Sequence, residues 1–138
     1  MSQENVEIVR SAFEAYNRGD LAAVLEVVDP TVVIVQPLEL GGSEQHGHAG
    51  VVEAFGMWPE EWDDYETELV RTVDVGEHVV VIARQRGRSR ETGMKLDARF
   101  SYLMTLREGK IVGLRLFAHE GDALEAVGLS EEPARKTL

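Results

Sequence analysis

The chain has 138 residues and no cysteine, which excludes disulfide frameworks, thiolate metal sites and cysteine nucleophiles together. Basic residues are scarce as well: 14 Lys and Arg stand against 25 Asp and Glu, a net charge of −11. That excess argues against a nucleic-acid backbone or an anionic membrane as partner. No apolar run approaches the length that spans a bilayer, and the opening MSQENVEIVR lacks the apolar segment of a secretory leader. A cytoplasmic location is therefore expected. There is no glycine-rich phosphate loop, no G-x-S-x-G nucleophile, no dinucleotide fingerprint and no H-E-x-x-H pair, so no cofactor and no metal are expected. Aromatics are few, but aliphatic residues are plentiful. A chain of this length buries roughly 68% of its unfolded surface, which predicts a packed core in one domain over 1–129, followed by a loose tail over 130–138.

The strongest pattern that is present lies near the C-terminus, in MKLDARFSYLMTLREGKIVGLRLFA (94–118). Leu96, Ala98, Phe100, Tyr102, Met104 and Leu106 alternate with Asp97, Arg99, Ser101, Leu103 and Thr105, the period of a strand with one apolar face. After Arg107-Glu108-Gly109-Lys110, the alternation resumes in Val112, Leu114, Leu116 and Ala118, which predicts a hairpin. Upstream, Tyr65 to Asp74 and Val79 to about Arg90 are further long strands, and the β-branched run Thr31 to Gln36 is a short first one. Val6, Val9, Phe13 and Tyr16 recur at helical spacing, as do Leu21, Val24, Leu25 and Val28. Gly19 separates these two helices, Asp29-Pro30 stops the second, and Ala49 to Met57 is a third. A brief helix over Ala123 to Val127 follows the last strand. Helices on one face of a curved antiparallel sheet make an α+β domain.

The segments SQENVEIVRSAFEAYNRGDLAAVLEVVDPTV, HGHAGVVEAF, MTLREGKIVGLRLF and DALEAVGL together resemble the SnoaL-like branch of the nuclear transport factor-like superfamily. The resemblance covers about residues 3–129. It implies a cone-shaped fold, a strongly curved mixed or antiparallel sheet wrapped around N-terminal helices, often dimeric, enclosing a pocket for a small and largely apolar molecule. Relatives of this kind include ketosteroid isomerases, polyketide cyclases, epoxide hydrolases, dehydratases and non-catalytic association domains, so fold leaves function open. The isomerases use a tyrosine in the first helix, a base aspartate at the end of the first strand and a protonated aspartic acid on the penultimate strand. The matching positions here are Ala12, Gln36 and Tyr102. Ala12 donates nothing and Gln36 takes no proton at neutral pH, which argues against steroid isomerase chemistry. The Asp-Arg-Asp network of the epoxide hydrolases has a local echo in Asp97 and Arg99, in reversed order and on the polar face of the strand.

Pocket candidates follow from these placements: Tyr16, Gln36, Trp58, Trp62, Arg84 and Tyr102. Arg84 and Arg86 share a face with Val80 and Ile82. A three-residue loop after this strand sets Arg84 opposite Phe100 and inside the pocket, where it would meet a carboxylate or enolate oxygen. A two-residue loop puts it outside, paired with Glu66 or Glu68. Tyr102 is either a donor to a substrate oxygen or a plain core tyrosine. Phe13 and Tyr16 pack the first helix on the sheet, with the Tyr16 hydroxyl near a pocket. Trp58 and Trp62 form either a lid or a cap on the core. His46-Gly47-His48 is a weak metal signal without a third ligand, and His48 is expected to cap the third helix. His119, at the end of the last strand, is the one histidine placed where a general base reaches a barrel mouth.

The expected function is binding of a small apolar or carbonyl- or carboxylate-bearing molecule. Isomerase, cyclase or hydrolase chemistry would use Tyr102, Arg84 and His119. The alternative is a non-catalytic ligand-binding or association domain. Leu103, Ile111 and Phe117 on the outer sheet face predict a homodimer through the convex side.

Overall fold

The first helix forms because Val6, Val9, Phe13 and Tyr16 fall on one side of a 3.6-residue period; together with Ala12 and Ala15 they bury that side or half-bury it. The computed structural model of the chain describes residues 2–56 and 58–128. In it α1 (Ser2–Asn17) ends at Gly19, whose φ of 79° is a left-handed conformation open to glycine without strain. Asp20 then caps α2 (Leu21–Glu26) by accepting the Ala23 N–H at 3.1 Å. This helix is shorter than its apolar spacing predicts. Val28 already belongs to β1 (Val28–Val35) and pairs with Ile111, because the residue before Pro30 is pushed to extended backbone. Asp29 braces that entry by accepting the Thr31 N–H at 2.8 Å and its hydroxyl at 2.6 Å.

A 3₁₀ turn (Leu38–Leu40) and the three-residue β2 (Glu44–His46) follow, then α3 (Gly47–Phe55) and the single turn α4 (Trp58–Glu61). β2 has no alternating pattern of its own and forms only by pairing with β1, so it is absent from the sequence-based reading. Four long strands complete the sheet: β3 (Trp62–Val75), β4 (His78–Ser89), β5 (Lys95–Arg107) and β6 (Lys110–Phe117), and α5 (Asp122–Ala126) closes the described chain. The order is β2-β1-β6-β5-β4-β3, antiparallel except for the parallel pair β1–β6. This is an α+β fold with a six-stranded mixed sheet, open between edge strands β2 and β3 rather than closed as a barrel. The expected end of the third helix at Met57 and the expected tail over 130–138 lie outside the described residues.

Val79–Ala83 of β4 are buried on both faces, as befits a central strand covered from two sides. On the helix side, Val79, Val81, Ala83, Tyr102 and Met104 pack under α1, α2 and α3. On the outer side, Val80 and Ile82 pack with Ala123 and Leu124 of α5. Ser101, fully buried, pins α5 there: its Oγ donates to the His119 carbonyl at 2.7 Å and accepts the Ala123 N–H at 3.1 Å.

Two expectations about faces are corrected. Ser89 N–H bonds the Met94 carbonyl at 2.8 Å, so four residues, 90–93, turn the chain from β4 to β5. Arg84 therefore pairs with Arg99 and Arg86 with Asp97, on the face opposite Tyr102. An even number of loop residues gives the same parity as the two-residue alternative. Ile111, expected outside, is buried in the helix-side core because the β5–β6 register shifts between Thr105 and Leu106. The hairpin beyond it turns on Glu108 and Gly109 with φ of 50° and 79°, the pair of left-handed residues that a two-residue turn of type I′ requires.

Ser101→Ala leaves a buried N–H and a carbonyl without their partner. We expect a loss of about 1–3 kcal/mol in unfolding free energy, measured by denaturant titration.

Candidate functional site

Between the helices and the inner sheet face lies a cavity of about 530 Å³. One end is lined by buried aliphatics, among them Val28, Met104 and Ile111. The other end carries Gln36, Ser43, Gln45, Glu53, Trp58, Tyr65 and Gln85, with Ser43 and Glu53 exposed. Each wall follows from an element already described: the inward positions of β4 and β5 supply Gln85, Phe100 and Tyr102, and the end of β1 leads into Gln36.

Tyr102 lines the cavity, 6% exposed, with the rings of Phe13 and Phe100 at 5.7 and 5.1 Å. Its hydroxyl makes no hydrogen bond to another described residue. No fully buried polar side-chain atom among the described residues lacks a partner, so this hydroxyl is open to the cavity. Burial, with smaller contributions from Tyr65 and Tyr16, pushes its pKa well above the ordinary tyrosine value. Tyr102 is thus a neutral donor held ready in an apolar chamber.

Tyr16 has a different task. Its hydroxyl donates to the Phe55 carbonyl at 2.7 Å and satisfies the open end of α3. Burial first, and then the neighbouring Tyr65, raise its pKa as well. Tyr65 accepts from the Gln85 side-chain amide and from the Thr67 hydroxyl, the latter at 3.3 Å. Across the opening, Gln36 Nε2 donates to Gln45 Oε1 at 3.5 Å and Gln45 Nε2 to Ser43 Oγ at 3.0 Å. The polar end of the cavity is consequently built from neutral amides and hydroxyls.

The structure brings Tyr16, Gln36, Trp58 and Tyr102 to this one cavity. Arg84 does not reach it. It lies on the outer face and grips Asp97 with two bonds, Nε–Oδ1 at 2.8 Å and Nη2–Oδ2 at 2.7 Å. The Arg84 guanidinium holds the Asp97 carboxyl below its usual range, while Asp97 raises the Arg84 pKa. Arg86 pairs with Glu66 at 2.6 Å and Glu68 at 3.4 Å. Trp62 also lies outside the cavity, stacked on Trp58 with ring centroids 6.1 Å apart; the next ring beyond Trp58 is Tyr65 at 5.8 Å. His119 is exposed and contributes only its backbone carbonyl, to Ser101. It does not line the cavity, because the last strand ends at Phe117 and the chain turns outward toward α5. Ala12 lines the wall and donates nothing.

Asp97 and Arg99 do not form a water-activating network, since Asp97 is held by Arg84 and Arg99 faces Glu120 at 3.5 Å. His46, not His48, stands at the start of α3, without a side-chain cap, and pairs with Glu44 at 3.1 Å. A ring nitrogen of His48 meets the Val28 carbonyl at 2.7 Å instead. Among the described residues no group of three or more His, Asp or Glu is placed to hold a metal ion.

Sequence reasoning missed Gln85, Tyr65, Gln45 and Glu53. Gln85 was within reach: it shares parity with Val81 and Ala83, and only the loop length decided which parity faced inward.

The profile of the SnoaL-like domain matches residues 9–114 of the chain. No curated protein matches the sequence. Among solved structures, a candidate SnoaL-like polyketide cyclase from Jannaschia sp. CCS1 superimposes with a TM-score of 0.75 at 20% identity, covering 96% of this chain and 94% of that one. An NTF2-like protein of unknown function from Burkholderia pseudomallei K96243 gives 0.74 at 23% identity, covering 94% and 98%. TerC, co-crystallised with polyporic acid, gives 0.74 at 23% identity, covering 83% and 91%. At these identities the likeness is one of fold.

Three outcomes follow from the electrostatics and bonding. Tyr16→Phe removes a hydrogen bond and is expected to cost about 1 kcal/mol, whereas Tyr102→Phe removes none and should leave denaturant stability near wild type at neutral pH. Above about pH 10 the unfolded chain ionises tyrosines that the folded chain keeps protonated, so stability falls as pH rises. Tyr102→Phe should flatten that alkaline decline. Asp97 has the opposite sign. Its folded pKa lies below the unfolded one, so its contribution is complete above about pH 4 and is lost as pH falls through the lowered value. Asp97→Asn should therefore reduce the acid-side slope of unfolding midpoint against pH.

Proposed function

The chain belongs to the SnoaL-like family, and on that premise we propose that it binds a small, largely apolar molecule in its cavity, with Tyr102 donating a hydrogen bond to a carbonyl or similar acceptor on the ligand. One observation carries the reading: a nearly buried phenol that is neutral, faces the cavity and has no hydrogen-bond partner among the described residues. A buried donor is normally satisfied, and an acceptor on a bound molecule would satisfy this one. The apolar end of the cavity matches the body of such a ligand, and its volume lies within the range of small-molecule pockets. The presence of polyporic acid in TerC agrees with small-molecule binding by this fold.

Binding without turnover fits the lining better than catalysis. Proton abstraction needs a base within reach. Gln36 occupies the end of the first strand, His119 is outside, and the one carboxylate of the lining among the described residues is the exposed Glu53. Isomerase, cyclase or hydrolase chemistry would have to rest on Glu53 or on a water held by Gln36. A carboxylate ligand loses its motive once Arg84 is engaged with Asp97 on the outer face. We extend the proposal to a cytoplasmic homodimer joined through that outer face, where half-buried Leu103 and Phe117 flank α5.

The test is a titration with the neutral ketone 2-acetylnaphthalene, followed by tryptophan fluorescence, since Trp58 lines the cavity. Saturable binding is expected, weakened about 2- to 12-fold in Tyr102→Phe, the equivalent of about 0.5–1.5 kcal/mol. No saturable change in a folded protein would overturn the reading.

A further inference from the structure

Charge is distributed unevenly along this chain. Residues 1–70 contain 15 Asp and Glu but only two basic residues, Arg10 and Arg18, while residues 71–138 contain 10 acidic and 12 basic residues. The fold turns this asymmetry into geometry. The described residues of 1–70 include α1 to α4, β1, β2 and the first part of β3, the parts that cover the cavity and frame its polar end. Most basic residues lie on the long strands, and four on or beside them are ion-paired: Arg84 with Asp97, Arg86 with Glu66 and Glu68, Arg90 with Asp63 and Arg99 with Glu120. The elements that cover the cavity therefore carry the acidic excess, with only Arg10 and Arg18 to offset it.

The lining itself repeats this bias. Among its described residues Arg99 is the single cation, held against Glu120, and Glu53 is the single carboxylate, with no ion pair or hydrogen bond to another described residue. Every other polar group of the lining is neutral: the amides of Gln36, Gln45 and Gln85 and the hydroxyls of Ser43, Thr67 and the tyrosines. The unpartnered Tyr102 hydroxyl, already argued to await a ligand, is neutral too. A carboxylate entering here would lose its hydration with only Arg99, already held against Glu120, as a counter-charge, at a cost that neutral donors offset only in part. A positively charged end would meet the opposite situation, since the lining offers the exposed Glu53 and the stacked rings of Trp58 and Tyr65. Fields from unpaired surface charges also concentrate ligands of opposite sign at a cleft.

We propose that this cavity selects its ligand by charge: it takes a largely apolar molecule that offers Tyr102 an acceptor inside the cavity and carries an amine at its other end, held by Glu53 and the Trp58–Tyr65 wall, and rejects the corresponding carboxylate. The inference rests on the binding reading above and names the ligand class for the same site.

Equilibrium dialysis of the full chain against three probes with one aromatic body tests it: 2-(aminomethyl)naphthalene, 2-naphthylmethanol and 2-naphthoate, at low and at high salt. The amine should bind at least about 10-fold more tightly than the carboxylate at low salt, and the ratio should shrink at high salt as surface charge is screened. Glu53→Gln should narrow the same ratio measured within the variant. Carboxylate binding as tight as amine binding overturns the proposal, while an unchanged ratio in Glu53→Gln overturns the part assigned to Glu53. If none of the three probes binds, it is the small-molecule reading that fails, and the two failures are told apart by the neutral alcohol.

Discussion

Which face of β5 turns inward is decided by the pairing of β4 with β5, and almost everything of functional interest depends on it. Side chains alternate along a strand, so one residue more or less in the connecting loop exchanges the two faces completely. The four-residue loop 90–93 sets Val81 beside Tyr102 and Ala83 beside Phe100 on the helix side, and it sets Arg84 beside Arg99 on the other. With the opposite parity Arg84 would share a face with Phe100 and Tyr102, so either the arginine would enter the cavity or the tyrosine would leave it. The burial of Val79–Ala83 on both faces makes this strand the fixed reference against which the others are read.

Given that register, the two faces of the sheet divide the chemistry between them. The outer face collects charged partners in direct contact, with Arg84 and Asp97 as a two-bond pair and α5 pinned by Ser101. Exposed pairs of this kind contribute little to stability, but they keep guanidinium groups from the interior. The inner face collects aromatic and aliphatic surface and a set of neutral donors. Carboxamides stand at the opening, and a nearly buried tyrosine lines the cavity. Ala12, Gln36 and Tyr102 all line this cavity; the first carries no polar group and the other two are neutral hydrogen-bonding side chains.

The polar network at the opening also connects ligand space to the framework. Tyr16 satisfies the end of α3 through the Phe55 carbonyl, and Asn17, one residue on, exchanges two bonds of 3.0 Å with the Thr67 backbone on β3. Thr67 in turn reaches Tyr65 and so Gln85. The end of α1 therefore ties together the helix above the cavity and the strand beside it. A ligand touching Tyr65 or Gln85 acts on groups that also hold these elements in place.

By itself the sequence determined the α+β class, the three N-terminal helices, the five longer strands, the hairpin at Glu108-Gly109 and the SnoaL-like resemblance, because periods of 3.6 and 2 and the turn residues between them are local properties of the chain. It also placed Tyr16, Gln36, Trp58 and Tyr102 near a cavity, since each sits on an element whose apolar face was legible. Only the tertiary structure decided the side taken by Arg84, the burial of Ile111, the existence of β2, and the positions of Trp62 and His119 outside the cavity. Those outcomes depend on loop parity, on a register shift and on pairing between distant segments, which are relations between strands and leave no period within any one of them. Gln85, Tyr65 and Glu53 were missed for the same reason: a polar residue becomes part of a site only when the other walls arrive.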